Sequence, residues 1–162
     1  MAELLFILGF TLHNIEEAIW LPGWSKHAGR YHREVSENEF RFAVIVVTAM
    51  GYLITFQYFL FSHVYPVSKY IFLGFVLMMV LNVIFPHIAA SIVLKRYTPG
   101  TITGVLLNWP MGIYILSEGI KERSDPGYII IAALIITAVF LFMIKLLFKA
   151  GGRLFDNRVK ID

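Results

Sequence analysis

The chain has 162 residues, of which 58% are hydrophobic, 15% aromatic and only 15% charged, with a net charge of +3. This apolar share exceeds that of an ordinary water-soluble domain, so the composition predicts an integral membrane protein. The absence of cysteine excludes disulfides and thiolate metal ligands. We expect the lipid bilayer as a partner and no bound nucleic acid.

Five apolar segments are long enough, or nearly so, to cross a bilayer as helices. The connections between them are short and leave no room for a soluble domain. The fold prediction is therefore an all-α integral membrane bundle of five transmembrane helices, with residues 1–162 forming one domain. In chain order the predicted helices are 4–20, 40–61, 70–94, 102–120 and 128–148.

The distribution of the 14 basic residues predicts the orientation, because cytoplasmic loops retain Lys and Arg. Five crossings place eleven of these residues on one side of the membrane and three on the other. The N-terminus is therefore expected outside and the C-terminus in the cytoplasm. The cytoplasmic group is Lys26, Arg30, Arg33, Arg41, Lys95, Arg96, Lys145, Lys149, Arg153, Arg158 and Lys160, and the external group is Lys69, Lys121 and Arg123.

Local sequence signals agree with these boundaries. Ser36 and Glu39 have the spacing of a capping box, in which the hydroxyl and the carboxylate satisfy unpaired backbone donors at a helix start. The pair therefore predicts the start of the second helix. Pro99 and Gly100 predict a cytoplasmic turn before the fourth helix.

Three ionisable side chains lie inside the first apolar segment, where such groups are costly: His13, Glu16 and Glu17. Because residues three and four apart share a helix face, these side chains project together. A polar cluster that faced lipid would be hard to maintain, so we expect this one to face protein. Its position is the strongest indication of function in the sequence.

Polar residues of other helices are predicted to lie at the same depth. A rise of about 1.5 Å per residue places five polar side chains from three helices roughly 5 to 10 Å from the cytoplasmic end. Thr48 of the second helix falls at a similar level. This agreement predicts one site between facing helices in the inner half of the bundle. The five residues are His13, Glu17, His87, Ser91 and Asn108.

Two prolines predict kinks in the helices that carry this site. Pro86 cannot donate to the carbonyl of Asn82, and Pro110 cannot donate to the carbonyl of Leu106. The freed carbonyls then need a side chain or a water as a partner. His87 follows the first kink directly, and two kinked helices can enclose a cavity.

The residues around this depth resemble those of the HXXEE family of small bacterial membrane proteins. In this chain the family pattern is formed by His13, Asn14, Ile15, Glu16 and Glu17. Similarity extends to Pro22 and Trp24, to a basic connection, and to the later pair Pro86 and His87, so that it covers most of the chain. The resemblance implies a polar intramembrane site and a bacterial cytoplasmic membrane, and it implies no settled reaction.

Histidine and carboxylate side chains are ligands for zinc, iron or manganese. We take His13, Glu17 and His87 as candidate ligands of a divalent metal, zinc or iron. A set of two histidines and one carboxylate is typical of both catalytic zinc and non-haem iron. Hydrolysis and oxygen chemistry therefore stay equally open.

Further polar residues are candidates for the chemistry itself. Glu16 is the candidate general base, because a carboxylate beside a metal-bound water can take its proton, or else a partner that supports the metal ligands. Asn108 is the second catalytic candidate and would orient the substrate. The predicted function is a metal-dependent hydrolase or oxidoreductase that acts on a lipid-like or hydrophobic substrate. Contacts around the ligands or with the substrate are expected from Asn82, Ser91 and Thr48.

Alternative interpretations use the same residues. Intramembrane polar groups also hold helices together, at about 1 kcal/mol for each contact. A small proton-coupled transporter would use Glu16 or Glu17 as its proton carrier. A non-catalytic accessory subunit also suits a small bundle, and the sequence is compatible with a homodimer. Whether His27 or His32 of the first connection joins the site stays open.

Overall fold

The computed structural model describes residues 1–26, 28 and 35–156, with the side chains of the last two residues excepted. These residues form five continuous helical stretches and no strand, which confirms the all-α prediction. Predicted positions His27, His32, Arg30, Arg33, Arg158 and Lys160 lie outside the described residues.

The five stretches divide into seven α-helices and two π-helical segments. The third and fourth stretches each contain one π-helical segment. The helices are α1 (Ala2–Ser25), α2 (Glu37–Phe61), α3 (Pro66–Asn82), α4 (Ala89–Val93), α5 (Thr101–Thr103), α6 (Trp109–Lys121) and α7 (Pro126–Asp156), and the π-helical segments are Val83–Ile88 and Gly104–Asn108.

Four of the described helical stretches are long and apolar enough to cross a membrane: Ala2–Ser25, Glu37–Phe61, Pro66–Val93 and Pro126–Leu154. The architecture is that of a helical membrane protein. The predicted fourth span, 102–120, is helical but less apolar, because it contains Asn108, Pro110 and several glycines.

The first helix continues beyond its predicted end at residue 20, and it includes Pro22 in its last turns. A proline has no N–H to donate to the carbonyl four residues earlier, which here belongs to Ala18. The side chain of Arg41 on α2 donates to that carbonyl instead, at 3.3 Å from Nε. This replacement explains how the helix passes through a proline and binds α2 at the same point.

The start of α2 confirms Ser36 as the N-cap, the hydroxyl half of the predicted capping box. The Ser36 hydroxyl accepts a hydrogen bond from the backbone N–H of Glu39 at 3.3 Å. An N-cap of this kind typically contributes about 1 kcal/mol to helix stability.

The core lies between α1, α3 and α7 in the half of the bundle that contains the N-terminus. Phe6 and Phe10 of α1 meet Phe75 of α3 edge to face, with ring centroids 5.7 and 5.2 Å apart. On the far side, the backbone of α7 packs so closely on α3 that a methyl group at Gly74 would lie 2.8 Å from backbone atoms of that helix. The aromatic contacts fix the angular position of α1 relative to α3, and the close backbone contact holds α3 against α7.

The third helical stretch breaks where Pro86 predicts a kink. Phe85 has the extended angles φ −133° and ψ 118°, and the helix resumes beyond Pro86. In the fourth stretch, the segment Gly104–Asn108 departs from α-helical hydrogen bonding shortly before Pro110. Both departures lie next to polar side chains of the predicted site.

Candidate metal site

The face of α1 that packs on α3 carries both the aromatic core and the first part of the site. Phe6, Phe10, His13 and Glu17 follow one another at spacings of four, three and four residues, so they share one face. Because the two phenylalanines are anchored against α3, His13 and Glu17 are also directed toward the third helical stretch. His87 meets them there, just beyond the break at Phe85.

The structure brings His13, Glu17 and His87 together, and their potential ligand atoms lie within 4.8 Å of one another. Glu17 Oε1 lies 3.8 Å from His13 Nε2 and 3.2 Å from His87 Nε2. The two imidazole rings meet at right angles, with centroids 4.8 Å apart. Both histidines are buried, and the Glu17 side chain is 18% exposed. Glu17 is therefore the partly exposed member of this group.

The hydrogen bonds of His13 identify the nitrogen that carries its proton in the neutral ring. Nδ1 lies 3.0 Å from the carbonyl oxygen of Gly100, which can only accept a hydrogen bond. Nδ1 must therefore donate, and Nε2 keeps an unprotonated lone pair. Nε2 is buried without a hydrogen-bond partner among the described residues and is turned toward Glu17.

His87 is oriented by its own helix and by the turn that follows α4. The Asn82 amide nitrogen, which can only donate, lies 3.1 Å from His87 Nε2, so this ring nitrogen accepts a hydrogen bond that a metal at Nε2 would replace. The Pro99 carbonyl lies beside the ring without a hydrogen bond to Nδ1. Ser91 donates to the His87 backbone carbonyl at 2.9 Å. The histidine is thus held at both its backbone and its ring.

These dimensions suit a small metal ion. A tetrahedral zinc with bonds of about 2.0 to 2.1 Å holds its ligand atoms roughly 3.3 Å apart. The separations of 3.2 and 3.8 Å from Glu17 bracket that value, while the three atoms together span up to 4.8 Å, so the group would have to close slightly around an ion. In metal sites, a ligating histidine commonly donates its other N–H to a carbonyl or carboxylate, as His13 does here to Gly100.

The turn formed by residues 97–103, which we call the covering turn, lies against both imidazole rings. Gly100 has φ +90°, a conformation that side chains other than hydrogen disfavour. A methyl group at this position would lie 2.6 Å from Cε1 of His87 and 2.8 Å from Cε1 of His13. Only glycine therefore fits between the covering turn and the two rings.

Glu16 contacts the covering turn instead of the three clustered side chains. Its Oε1 accepts from the Gly100 N–H at 2.8 Å and from the hydroxyl of Tyr97. Its Oε2 accepts from the Thr103 hydroxyl at 2.6 Å and from the Thr103 N–H at 3.3 Å. Partial burial and the bond to Glu16 raise the pKa of Tyr97 to about 12, so this phenol remains a donor at neutral pH.

The other predicted site residues lie around this centre in different contacts. Ser91 joins the covering turn by accepting from the Thr98 N–H at 3.1 Å. Thr48 accepts from the Asn14 amide at 2.8 Å and so links α2 to α1. Asn108 is fully buried next to Gly9, one turn of α1 away from His13, and its amide has no hydrogen-bond partner among the described residues.

Sequence reasoning did not identify the covering turn as part of the site. The pair Pro99 and Gly100 predicted a turn, but its contact with two histidines depends on how three helical stretches pack. One signal was available in the sequence. Thr101 and Thr103 are polar residues at the start of the fourth helical stretch, and one of them binds Glu16.

Comparisons with known proteins identify the family of the chain. A protein of Bacillus subtilis (strain 168), named "Uncharacterized protein YrkK", is 44% identical over 149 residues, which cover 91% of this chain and 94% of that protein. No solved structure matches the chain. The sequence model of the family described as "Protein of unknown function with HXXEE motif" matches residues 4–115, which include the pentad and His87. The resemblance noted in the sequence is thereby confirmed, and the chain belongs to the HXXEE family.

Proposed function

We propose that this protein binds one divalent transition metal through His13, Glu17 and His87. The observation that carries the proposal is the state of His13: Nδ1 donates to the Gly100 carbonyl, and the lone pair of Nε2 is directed toward Glu17 without a hydrogen-bond partner. A group that only held helices together would be expected to pair this nitrogen. A metal ion would bind to this nitrogen through its lone pair.

The ligand set is suited to either zinc or iron. Two histidines with one carboxylate occur in catalytic zinc sites and in non-haem iron sites that keep open coordination positions. When bound, such a metal polarises a substrate oxygen or activates a water or oxygen molecule. We propose a hydrolase or an oxidoreductase on this basis.

The surface next to Glu17 supports a lipid-like substrate. Glu17 is the partly exposed member of the group, so a substrate would approach along its side chain. Trp20, one turn further along α1, is 62% exposed, and Phe85 at the break in the third stretch is 76% exposed. Large apolar side chains at such positions favour a substrate that arrives from the bilayer.

We further propose five crossings with an external N-terminus, as the basic residues predict. The fourth stretch, residues 101–121, would be roughly 32 Å long at about 1.5 Å per residue, which matches a hydrocarbon core of about 30 Å. Its polar and small residues Asn108, Gly104 and Gly112 are buried, whereas Leu106 and Ile113 are exposed. This segment therefore has an apolar face toward the lipid despite its moderate overall hydropathy.

Cysteine labelling tests this topology, because the chain contains no cysteine of its own. We expect Lys121→Cys in intact cells to react with a membrane-impermeant maleimide, since five crossings place it outside. Val64→Cys is the external control and Arg96→Cys the internal control. Labelling of Lys121→Cys only after permeabilisation would indicate four crossings and contradict the proposal.

Metal analysis of the purified protein tests the metal site. After purification without chelators, we expect about one zinc or iron per chain in the unchanged protein and very little in His13→Ala or His87→Ala. His63→Ala is the matched control, because His63 is exposed just after the C-terminal end of α2, at the end of the bundle away from the proposed site. Equal metal content in the unchanged protein and in His13→Ala would refute the proposal.

A metal-free protein would favour another function for the same residues. Glu16 already accepts four hydrogen bonds, so Glu17 would be the proton carrier of a transporter. A substrate affinity that depends on pH and on Glu17 would then support that alternative. The absence of both properties would leave helix association as the role of the cluster.

A further inference from the structure

The two adjacent glutamates of the pentad contact different parts of the molecule. Successive residues of a helix are about 100° apart around its axis, so Glu16 and Glu17 leave α1 in different directions. Glu17 lies against the two histidines, while both oxygens of Glu16 bind the covering turn. The two glutamates of the HXXEE pattern therefore have different roles, one at the histidines and one at the covering turn.

The bonds of Glu16 span the covering turn from end to end. Its carboxylate accepts from Tyr97 at the beginning, from the Gly100 N–H in the middle, and from both the N–H and the hydroxyl of Thr103 at the end. Each donor lies on the turn, and the acceptor lies on α1. The carboxylate thus fixes the position of the turn relative to the helix that carries His13.

This position determines the state of the histidine. The peptide group on one side of Gly100 donates its N–H to Glu16, and the Gly100 carbonyl accepts from His13 Nδ1 at 3.0 Å. The Thr103 hydroxyl donates to Glu16 and lies 3.3 Å from the same Nδ1, where its oxygen can only accept. Both acceptors of the His13 proton are therefore held in place by Glu16.

We propose that Glu16 is a positioning residue: it holds the covering turn so that His13 keeps its proton on Nδ1 and presents Nε2 to the metal. This inference rests on the proposed metal site, but it concerns residues that do not touch the metal. It assigns Glu16 a different role from that of general base, because its lone pairs are already engaged by four donors.

Two variants test the inference. Glu16→Gln replaces one acceptor oxygen with an NH₂ group, which cannot accept from whichever donors it faces, those of Thr103 or those of Tyr97 and Gly100. Thr103→Val removes the hydroxyl at nearly constant volume, and Thr103→Ser restores it. We expect metal affinity to fall about 10- to 100-fold in Glu16→Gln and Thr103→Val, as is typical when a partner of a metal-binding histidine is lost. Thr103→Ser should bind like the unchanged protein.

A spectroscopic measurement separates this role from a general loss of structure. In ¹⁵N-histidine-labelled full-length protein without metal, we expect His13 to show a protonated Nδ1 and an unprotonated Nε2, assigned by comparison with His13→Gln. In Glu16→Gln and Thr103→Val we expect a mixture of tautomers, and in Thr103→Ser the original state.

The outcomes distinguish the two proposals. If the unchanged protein binds no metal, the proposed function fails, and the tautomer of His13 still tests the role of Glu16. If the unchanged protein binds metal, and if Thr103→Val and Glu16→Gln keep both its affinity and the Nδ1 proton, the positioning role is overturned. Should Glu16→Gln fail to fold, Thr103→Val against Thr103→Ser decides the question.

Discussion

Replacement of Gly100 with alanine is expected to abolish metal binding, with a loss of affinity of more than about 100-fold, the upper end of what is seen when the groups around metal ligands are disturbed. The new methyl group would lie 2.6 Å from the His87 ring and 2.8 Å from the His13 ring, so at least one imidazole must move. The left-handed backbone adds about 1 to 2 kcal/mol of strain for a residue with a Cβ.

Metal titration and thermal unfolding of the purified variants measure this effect. Gly23→Ala is the matched control, because a methyl group at that position meets no atom within 4 Å. We expect the control to keep the metal affinity of the unchanged protein. Normal affinity in Gly100→Ala would mean that the covering turn does not lie against the rings as described.

The helical stretches and the common face of His13 and Glu17 follow from simple periodicity. His13 and Glu17 are four residues apart, and Phe6 and Phe10 continue the same face toward the core, so helix geometry alone directs them to one neighbour. Pro86 marks the interruption that precedes His87. The shared face of His13 and Glu17 and the position of the interruption could be predicted because each depends only on local spacing, whereas their meeting with His87 also depends on how α1 packs on the third stretch.

The roles of Glu16 and Glu17 could not be separated in the same way. Both lie within one turn of His13, and spacing alone permits either to meet the second histidine. The structure separates them through the covering turn, which supplies four donors to one carboxylate only. The position of that turn depends on tertiary packing between α1 and the fourth stretch.

The contacts of Asn108 could not be predicted from its distance to the helix end. Its distance from the helix end predicts that Asn108 lies at the same depth as the histidines. The segment Gly104–Asn108 is π-helical, however, and Asn108 lies beside Gly9. A change in helix geometry alters both the rise and the facing direction of the residues beyond it. The contact of Asn108 with a substrate therefore stays a prediction.

Replacement of Glu17 with glutamine is expected to change stability in opposite directions with and without metal. Without metal, the variant removes an acidic group from a largely buried site, and an amide costs less to bury than a carboxylate. We therefore expect Glu17→Gln to unfold at a higher temperature than the unchanged protein in the presence of a chelator.

With metal the order should reverse. A ligand at 100 times its dissociation constant stabilises a protein by about 2.7 kcal/mol, and the variant gains little of this because it lacks the anionic ligand. Thermal unfolding in detergent, with chelator and with added zinc or iron(II), measures both values, and Glu118→Gln at the exposed end of α6 serves as the control. If Glu17 only joins helices through polar contacts, Glu17→Gln should be destabilised to the same extent in both conditions. If the variant is more stable than the unchanged protein with chelator and less stable with metal, an ion must bind the folded protein through Glu17.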